Sequence, residues 1–266
     1  MSICLTTTWY PRGELARFTR LLPMLEEKYV SIVVALVQDN DAEVLKEFTS
    51  GKFSADKKLI YFVSDYQQSG RHMALKKTVE VDADFVHYAD MDRLLRWAET
   101  RPDEWRKVVA RIEDSDYLVM GRSAAAYATH PQALVRTEAI SNHLISWLVG
   151  QTLDVSAGSK GFSRRAAQLI VDHADPNRGL GADGAWTVLL HRAGYRIDYL
   201  EVDGLDWETA DRYQSRSADV EQQQKLAEAY DKDPAHWAMR VEVAMEIVEA
   251  GLDAAEHVVP EISDCA

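Results

Sequence analysis

The chain has very few cysteines and no long apolar run, and both absences narrow where it could work. Its only cysteines, Cys4 and Cys265, lie near opposite ends of 266 residues, which indicates no disulfide framework and fits a reducing compartment. No apolar run approaches the ~20 residues that a bilayer-spanning helix needs. The first residues also lack the basic region and apolar core of a signal peptide. We therefore expect a cytoplasmic protein without a transmembrane segment.

An excess of positive charge is also missing. The chain carries 30 basic and 43 acidic residues, for a formal net charge of -13. Nucleic acids and anionic membranes bind dense positive surfaces, so neither is expected as the main partner. Hydrophobic residues make up 47% and charged residues 27%, as in ordinary globular proteins with one large core.

Apolar, β-rich runs alternate with helical patterns in the first third of the chain. The predicted strands are 2–8, 30–37, 58–64 and 84–89, and the predicted helices between them are 13–28, 42–48 and 70–81. This order predicts an α/β fold with a mostly parallel central sheet flanked by helices.

The second half of the chain is less regular. Residues 115–122 and part of 195–207 are predicted as strands, 124–132 as a loop, and 135–149, 164–173, 185–194 and 234–250 as helices. We predict one α/β domain over 1–218 and a helical C-terminal extension over 219–266 that packs on the same domain.

Polar residues lie at the carboxyl ends of all four predicted strands of the first third or directly after them. They are Thr7 and Thr8, Gln38 and Asp39, Ser64 and Asp65, and Asp90 and Asp92. Parallel sheets bind ligands at the carboxyl ends of their strands, so these residues predict a crevice for a polar ligand.

The stretch "FVHYADMDR" ends a strand with two aspartates, Asp90 and Asp92. Mg²⁺ and Mn²⁺ prefer oxygen ligands, and one or two carboxylates often hold such an ion while substrate phosphates supply the rest. Either aspartate could instead cap a helix that starts near Arg93. The pair by itself leaves both interpretations open.

The surrounding sequence resembles family-2 glycosyltransferases of the GT-A fold, and its middle part is most similar to polyprenyl-phosphate glycosyltransferases such as dolichyl-phosphate mannosyltransferase. The resemblance extends from the first strand to the segment before the C-terminal tail. Its order of motifs is carried by Arg71, Asp90 and Asp92, Gly121 and Arg122, Arg136 and Ser141, Asp154, Gly158, Phe162 and Arg165.

The resemblance implies a Rossmann-like GT-A sheet and a nucleotide-diphosphate sugar donor. It implies donor binding by Thr7, Thr8, Asp39, Arg71, Asp90 and Arg122, and a Mg²⁺ or Mn²⁺ ion held by Asp90 and Asp92. It implies acceptor binding by Arg136, Asp154, Gly158, Lys160 and Trp186. The acceptor would be a small molecule or a lipid phosphate, and self-association into a homodimer is left open.

The segment "GADGAW" begins a predicted helix at the position where the resemblance implies the acceptor side. Asp183 is the candidate general base, since a carboxylate can take the proton of an attacking sugar hydroxyl. It could also cap the helix, and with a phosphate acceptor it would only orient that group.

Two other functions are compatible with an Asp-x-Asp pair after a strand. One is a haloacid-dehalogenase-like phosphatase with Asp90 as nucleophile, although that family normally has Gly-Thr after its aspartates. The other is a catalytically silent GT-A-like domain that binds a nucleotide sugar or a partner.

Overall fold

The computed structural model describes residues 1–37, 42–50, 58–64 and 69–257. Asp39, together with Gln38 and Asp65, lies outside these ranges, so its predicted role is carried forward as a prediction only.

Seven strands of the described residues form one sheet in the order β3-β2-β1-β4-β6-β5-β7. The strands are β1 Ile3–Trp9, β2 Ser31–Leu36, β3 Leu59–Val63, β4 Phe85–Ala89, β5 Tyr117–Arg122, β6 Ser159–Ser163 and β7 Ile197–Val202. All neighbouring pairs are parallel except those of β6, which runs antiparallel to β4 and to β5. The predicted α/β fold with a mostly parallel sheet is confirmed.

Helices cover both faces of this sheet, and each face has its own buried apolar cluster. The helices are α1 Leu15–Lys28, α2 Ala42–Thr49, α3 Gly70–Val79, α4 Met91–Thr100, α5 Pro102–Ala110, α6 Ala124–Tyr127, α7 Gln132–Val149, α8 Arg164–His173, α9 Ala182–Arg192, α10 Val220–Asp231 and α11 Pro234–Glu256. Short 3-10 turns cover Arg111–Asp114, Val155–Ala157 and Glu208–Asp211. No helix of the described ranges is both long and apolar enough to cross a membrane.

The strand order creates a crevice between β1 and β4. From β1 the chain proceeds outward through β2 to β3, and it then returns to place β4 on the other side of β1. Connections therefore leave these two strands in opposite directions, and the gap between them is where open α/β sheets bind ligands.

Strand β6 was not predicted, because its sequence "SKGFS" contains no run of β-branched residues. The strand is stabilised by its position between β4 and β5, with Val86 opposite Phe162 and Tyr117 opposite the same residue. Burial between two strands overrides a weak local propensity. The predicted loop at 124–132 also contains the short helix α6, and the last helix extends six residues beyond the predicted end, to Glu256.

The C-terminal helices pack on the rest of the molecule through polar as well as apolar contacts. Asp231, at the end of α10, accepts hydrogen bonds from the backbone N–H groups of Gln132 and Ala133, 2.8 and 2.9 Å away, and so caps the first turn of α7. In α11, Arg240 pairs with Glu138 of α7. The domain boundary at residue 219 stays a prediction.

Candidate functional site

The ends of β1 and β4 lie side by side at the crevice. Their register pairs Thr6 with Tyr88, so Thr8 and Asp90 follow at the same level. Helix α3 begins at Gly70 directly against Thr8, where an added Cβ would lie 2.8 Å from Cγ2 of the threonine. The Thr8 hydroxyl is buried and finds no hydrogen-bond partner among the described residues. Two predicted donor-side positions thus meet at the crevice.

The side chain of Asp90 points toward α3 rather than into its own helix. Asp90 is the N-cap residue of α4 but makes no capping hydrogen bond. Its Oδ1 accepts hydrogen bonds from Nη2 of Arg71 at 3.2 Å and from the Tyr88 hydroxyl at 3.3 Å. The carboxylate remains 25% exposed. Helix capping therefore does not account for this aspartate.

Arg71 connects Asp90 to the predicted general base. Nη1 of Arg71 lies 2.9 Å from Oδ2 of Asp183, at the start of α9. Nζ of Lys160 donates a hydrogen bond to Oδ1 of Asp183 at 2.5 Å and another to the Val155 carbonyl at 2.8 Å. All three charged groups are buried. Lys160, Asp183, Arg71 and Asp90 form one chain of alternating charge, which we call the crevice charge chain.

This pairing determines the protonation of Asp183. Burial alone would raise the pKa of the carboxyl, but the charges of Arg71 and Lys160 outweigh it and hold the pKa below its ordinary value. The carboxylate is consequently ionised at neutral pH and is a weak proton acceptor. Its role as general base stays a prediction, and its observed contacts are those of a group that positions Arg71.

Asp92 lies among other carboxylates. Its Oδ1 accepts the backbone N–H of Arg93 at 2.9 Å. Burial, followed by the negative charges of Glu208 and Asp90, raises the pKa of Asp92 above its ordinary value. Burial alone would also raise the pKa of Glu208, but Arg93, 3.3 Å from its Oε2, outweighs burial and lowers that pKa. The surroundings of Asp92 thus hold surplus negative charge.

A separate buried network contains Arg122 and Asp154. The guanidinium of Arg122 donates two hydrogen bonds of 2.8 Å to the two oxygens of Asp154, and its backbone N–H donates a third at 2.9 Å. Glu138 lies 2.6 Å from the same guanidinium, and the Tyr127 ring centroid lies 4.3 Å from it. Arg122 and Asp154 were predicted to bind donor and acceptor. Those roles stay predictions, and here the two groups are each other's partners.

Some of the remaining residues predicted to bind donor or acceptor lie in the crevice, and others lie elsewhere. Gly158 lies in the crevice, where an added Cβ would meet Oδ2 of Asp90 at 2.4 Å. Arg136 is exposed on α7 and donates to Gln132 at 3.3 Å. Trp186 is buried and packs edge-on against Tyr88 and Phe162. Thr7 is also fully buried, with its hydroxyl donating to the neighbouring carbonyl at 3.3 Å.

Several residues of the crevice and of the neighbouring Arg122 network were not predicted from the sequence, among them Tyr88, Arg93, His130, Glu138 and Glu208. Glu208 directly follows "GLDW" and begins the 3-10 turn Glu208–Asp211. Nε2 of His130 is buried and finds no partner among the described residues, and burial lowers the pKa of this histidine to about 3. Tyr88 and Arg93 are sequence neighbours of Asp90 and Asp92, but only the tertiary structure brings Glu208 to them, because it is distant in the chain and carries no motif.

Comparison with solved structures supports the fold. Glucosyl-3-phosphoglycerate synthase of Mycobacterium tuberculosis matches with a TM-score of 0.57 at 11% identity, over 97% of this chain and 82% of that one. The same enzyme in complex with Mn²⁺, uridine diphosphate and phosphoglyceric acid matches with a TM-score of 0.53 at 9% identity, over 97% and 80%. A structure described as a mycobacterial protein matches with a TM-score of 0.55 at 12% identity, over 97% and 76%.

Neither a family model nor a curated protein matches the sequence. At these identities the structural likeness establishes architecture alone. The chain has the GT-A fold: a mostly parallel seven-stranded sheet flanked by helices, with a C-terminal helix.

Proposed function

We propose that this chain is a glycosyltransferase that moves a sugar from a nucleotide-diphosphate sugar to a hydroxyl or phosphate acceptor. The observation that carries the proposal is the position of Asp90. It places a partly exposed carboxylate beside the Arg71 guanidinium at the β1–β4 crevice of a GT-A sheet. A carboxylate can hold a metal ion and a guanidinium can pair with an anion. The diphosphate of a nucleotide sugar needs both, because it binds a metal ion and is itself negatively charged.

The carboxylates of Asp90 and Asp92 fit a Mg²⁺ or Mn²⁺ ion that takes only part of its ligands from the protein. No group of three or more His, Cys, Asp or Glu side chains in the described part of the chain could hold a metal by itself. Two carboxylates are nevertheless the usual protein share for Mg²⁺ when phosphates complete the shell. Burial raises the pKa of Asp92 and the charges of Glu208 and Asp90 add to it, and a cation there would offset those charges. When bound, the ion would neutralise charge on the leaving diphosphate.

Arg71 would bind the diphosphate directly. Its planar fork of donors matches phosphate oxygens, and Asp183 holds one side of the guanidinium in place. The contact to Asp90 is longer, at 3.2 Å, and is the one that a phosphate or metal ion would replace. Lys160 supports this arrangement by fixing Asp183 from the opposite side.

For the acceptor, a small anionic molecule is favoured over a lipid phosphate. The solved structures that share the fold include one with phosphoglyceric acid, whereas a resemblance to dolichyl-phosphate mannosyltransferase rests on motif order alone. Of the predicted acceptor residues, Gly158 and Lys160 lie in or beside the crevice. Arg136, Asp154 and Trp186 would need contacts that differ from those they make here.

The test is a thermal-shift screen of UDP-, GDP-, ADP- and dTDP-sugars with Mn²⁺ or Mg²⁺. A ligand at 100 times its dissociation constant should stabilise the fold by about 2.7 kcal/mol. The shift should require metal and should disappear in Asp92→Ala. The matched control is Asp103→Ala, since Asp103 lies on α5 with its side chain 89% exposed. The proposal is wrong if no nucleotide sugar stabilises the protein at high excess.

A catalytically silent binding protein is the second candidate. It is favoured by the full pairing of Asp183 with Lys160 and Arg71, which leaves this carboxylate a weak proton acceptor. Metal-dependent nucleotide-sugar binding without release of nucleoside diphosphate, over a panel of small acids, polyols and sugar phosphates, would support it. No contact favours a phosphatase: Oδ1 of the proposed nucleophile Asp90 already accepts from Arg71 and Tyr88. Phosphatase activity that is lost in Asp90→Asn would reverse that assessment.

A further inference from the structure

Large apolar side chains are exposed in unusual number on α7 and α11. Trp147 is 74% exposed and Ile140 is 62% exposed, both on α7. On α11 the exposed apolar side chains are Met239, Val241, Met245 and Leu252, and the last three share one side of the helix. Partly buried Leu144 and Val248 lie between them in sequence. Single exposed apolar residues are normal, but a contiguous group of this kind marks an interaction site.

The spacing along each helix places these residues in two stripes. On α7 the positions are 140, 144 and 147, and on α11 they are 241, 245, 248 and 252. Steps of three and four residues return to the same face of an α-helix. We call the combined surface of these seven residues the α7–α11 face.

The two stripes adjoin because the helices run parallel in contact. Near their starts, Glu138 of α7 pairs with Arg240 of α11. Further along, an added Cβ at Gly251 would lie 2.3 Å from Ile145 and 3.8 Å from Leu148. The α11 stripe is offset by about a quarter turn from this line of contact and the α7 stripe by about a third of a turn, to the same side of the pair. The stripes therefore form one continuous apolar surface.

Opposite charges border this surface on its two long edges. The basic edge carries the charge of Arg136, which is exposed with His143 on the outer side of α7, and Glu242 and Glu249 are exposed on the outer side of α11. The basic edge and the acidic edge lie within about one helical turn of the same level. A surface of this kind is complementary to itself when two copies meet with α7 of one against α11 of the other.

We propose that the α7–α11 face binds a second copy of this chain. The two-fold axis would run parallel to the two helices, since that axis places the basic edge of each copy against the acidic edge of the other. The five most exposed side chains offer roughly 500 Å² of apolar area, at ~200 Å² for each such side chain when fully free. With its charged edges the face approaches the ~800 Å² per partner of a standard stable interface.

The same charges disfavour an anionic membrane as the occupant. The chain has a net charge of -13, and one whole edge of the face is acidic. Surfaces that bind anionic lipids instead carry clustered Lys and Arg. The proposal does not depend on the proposed transferase activity, because no crevice residue contributes to the face.

Sedimentation velocity of the full chain tests the proposal. The sedimentation of the wild type should correspond to a species of twice the monomer mass of 30.0 kDa. Trp147→Glu and, on the other helix, Met245→Glu should each shift the protein to the monomer, with an unchanged far-UV circular dichroism spectrum. Val220→Glu is the matched control, because Val220 on α10 is 63% exposed but lies outside the face. It should remain dimeric.

A charge exchange tests the axis. Arg136→Glu should weaken the dimer about tenfold, corresponding to about 1.4 kcal/mol, and adding Glu242→Arg should restore it. A wild type that stays monomeric up to about 100 µM, or a Trp147→Glu variant that stays dimeric, overturns the proposal. The proposal is also overturned if a chain ending at His257 dimerises while the full chain does not. Binding of a monomeric wild type to phosphatidylserine vesicles through Trp147 would overturn it as well.

Discussion

Nη1 of Arg71 lies 2.9 Å from Oδ2 of Asp183, although the two residues are 112 positions apart in the sequence and neither belongs to a recognised pair. This contact makes Asp183 part of the crevice before any substrate is present. It also gives Arg71 a fixed orientation, with its second nitrogen turned toward Asp90.

Replacement of Arg71 should weaken binding of the nucleotide diphosphate. Arg71→Lys keeps the charge but loses the planar guanidinium that reaches Asp183 and the ligand together. We therefore expect metal-dependent binding to be about tenfold weaker in Arg71→Lys, and weaker still in Arg71→Ala. Isothermal titration with the nucleoside diphosphate selected in the screen measures the change. Arg106→Ala is the control, since Arg106 is a partly exposed arginine on α5 whose ion-pair partner, Asp103, is itself exposed. Equal affinities in wild type and Arg71→Ala would remove this residue from the site.

Asp183→Asn should destabilise the fold and should reveal which role the carboxylate has. The substitution leaves buried Lys160 and Arg71 without their shared counter-charge, at a cost of about 3–5 kcal/mol in the free energy of unfolding. Urea unfolding measures this cost. A double variant with Lys160→Met should be less destabilised than the sum of the two single variants, because the two residues are in contact.

The kinetics of Asp183→Asn distinguish positioning from proton transfer. A positioning residue should change donor affinity in parallel with Arg71→Lys and leave the shape of the pH profile unaltered. A general base should instead lower kcat by about 10²–10⁴-fold with little change in KM and should remove the acidic limb of the profile.

Gly158→Ala should disturb Asp90 specifically. Gly158 has φ of 70°, a left-handed conformation, and an added Cβ would meet Oδ2 of Asp90 at 2.4 Å. Gly150 offers a matched control, since its φ is 69° and its added Cβ would meet nothing within 4 Å. Both alanine variants should lose about 1 kcal/mol of stability from the backbone.

Only Gly158→Ala should also weaken metal-dependent nucleotide binding, as measured by thermal shift with and without Mn²⁺. If the two variants bind alike, Asp90 is either free to move away from the new methyl group or is not a ligand.

The Arg122–Asp154 pair should make part of the free energy of unfolding depend on pH in the acidic range. Burial alone would raise the pKa of Asp154, but Arg122 outweighs it and holds the pKa well below its ordinary value. A depressed carboxyl pKa contributes stability that is complete above the unfolded value of about 4 and is lost as pH falls below it toward the folded value. The free energy of unfolding should therefore decline on acidification below about pH 4, with this residue contributing up to about 1.4 kcal/mol per pH unit.

Asp154→Asn should flatten that decline, although it should also lower stability at pH 7 by about 3–5 kcal/mol because Arg122 loses a buried partner. Denaturant titrations between pH 2 and 7 check both effects. Asp103→Asn, on the surface, should leave the slope as it is in the wild type. A slope that is identical in Asp154→Asn and wild type would contradict the assignment.

Sequence reasoning was most successful where local pattern and burial agree. Strand β2, "SIVVAL", is buried along its whole length, and its unbroken apolar run predicted a strand enclosed on both faces. Helix α8 was predicted with the bounds that it has, Arg164–His173, and in the structure the Ser163 side chain caps its first turn. The position of Asp90 at a strand end followed from the same periodicity.

Reasoning from pattern was least successful where the decisive partner is distant. Nothing local to Arg122 indicates that its guanidinium is taken up by Asp154 and Glu138, and nothing in "SKGFS" indicates a central strand. Glu208 reaches the neighbourhood of Asp92 from a 3-10 turn more than 100 residues away. Charge pairing inside a protein depends on distance in space, which no local spacing contains.

The sequence by itself determined the alternation of strands and helices, the absence of a dense basic surface, and the polar residues at the ends of β1 and β4. These properties depend on side-chain periodicity and composition, which can be seen along the chain. Only the tertiary structure decided that Lys160 faces Asp183, that Asp183 holds Arg71, and that Arg71 reaches Asp90. Insertion of β6 antiparallel between β4 and β5 brings Lys160 to that position, because burial between two strands outweighed its weak strand propensity.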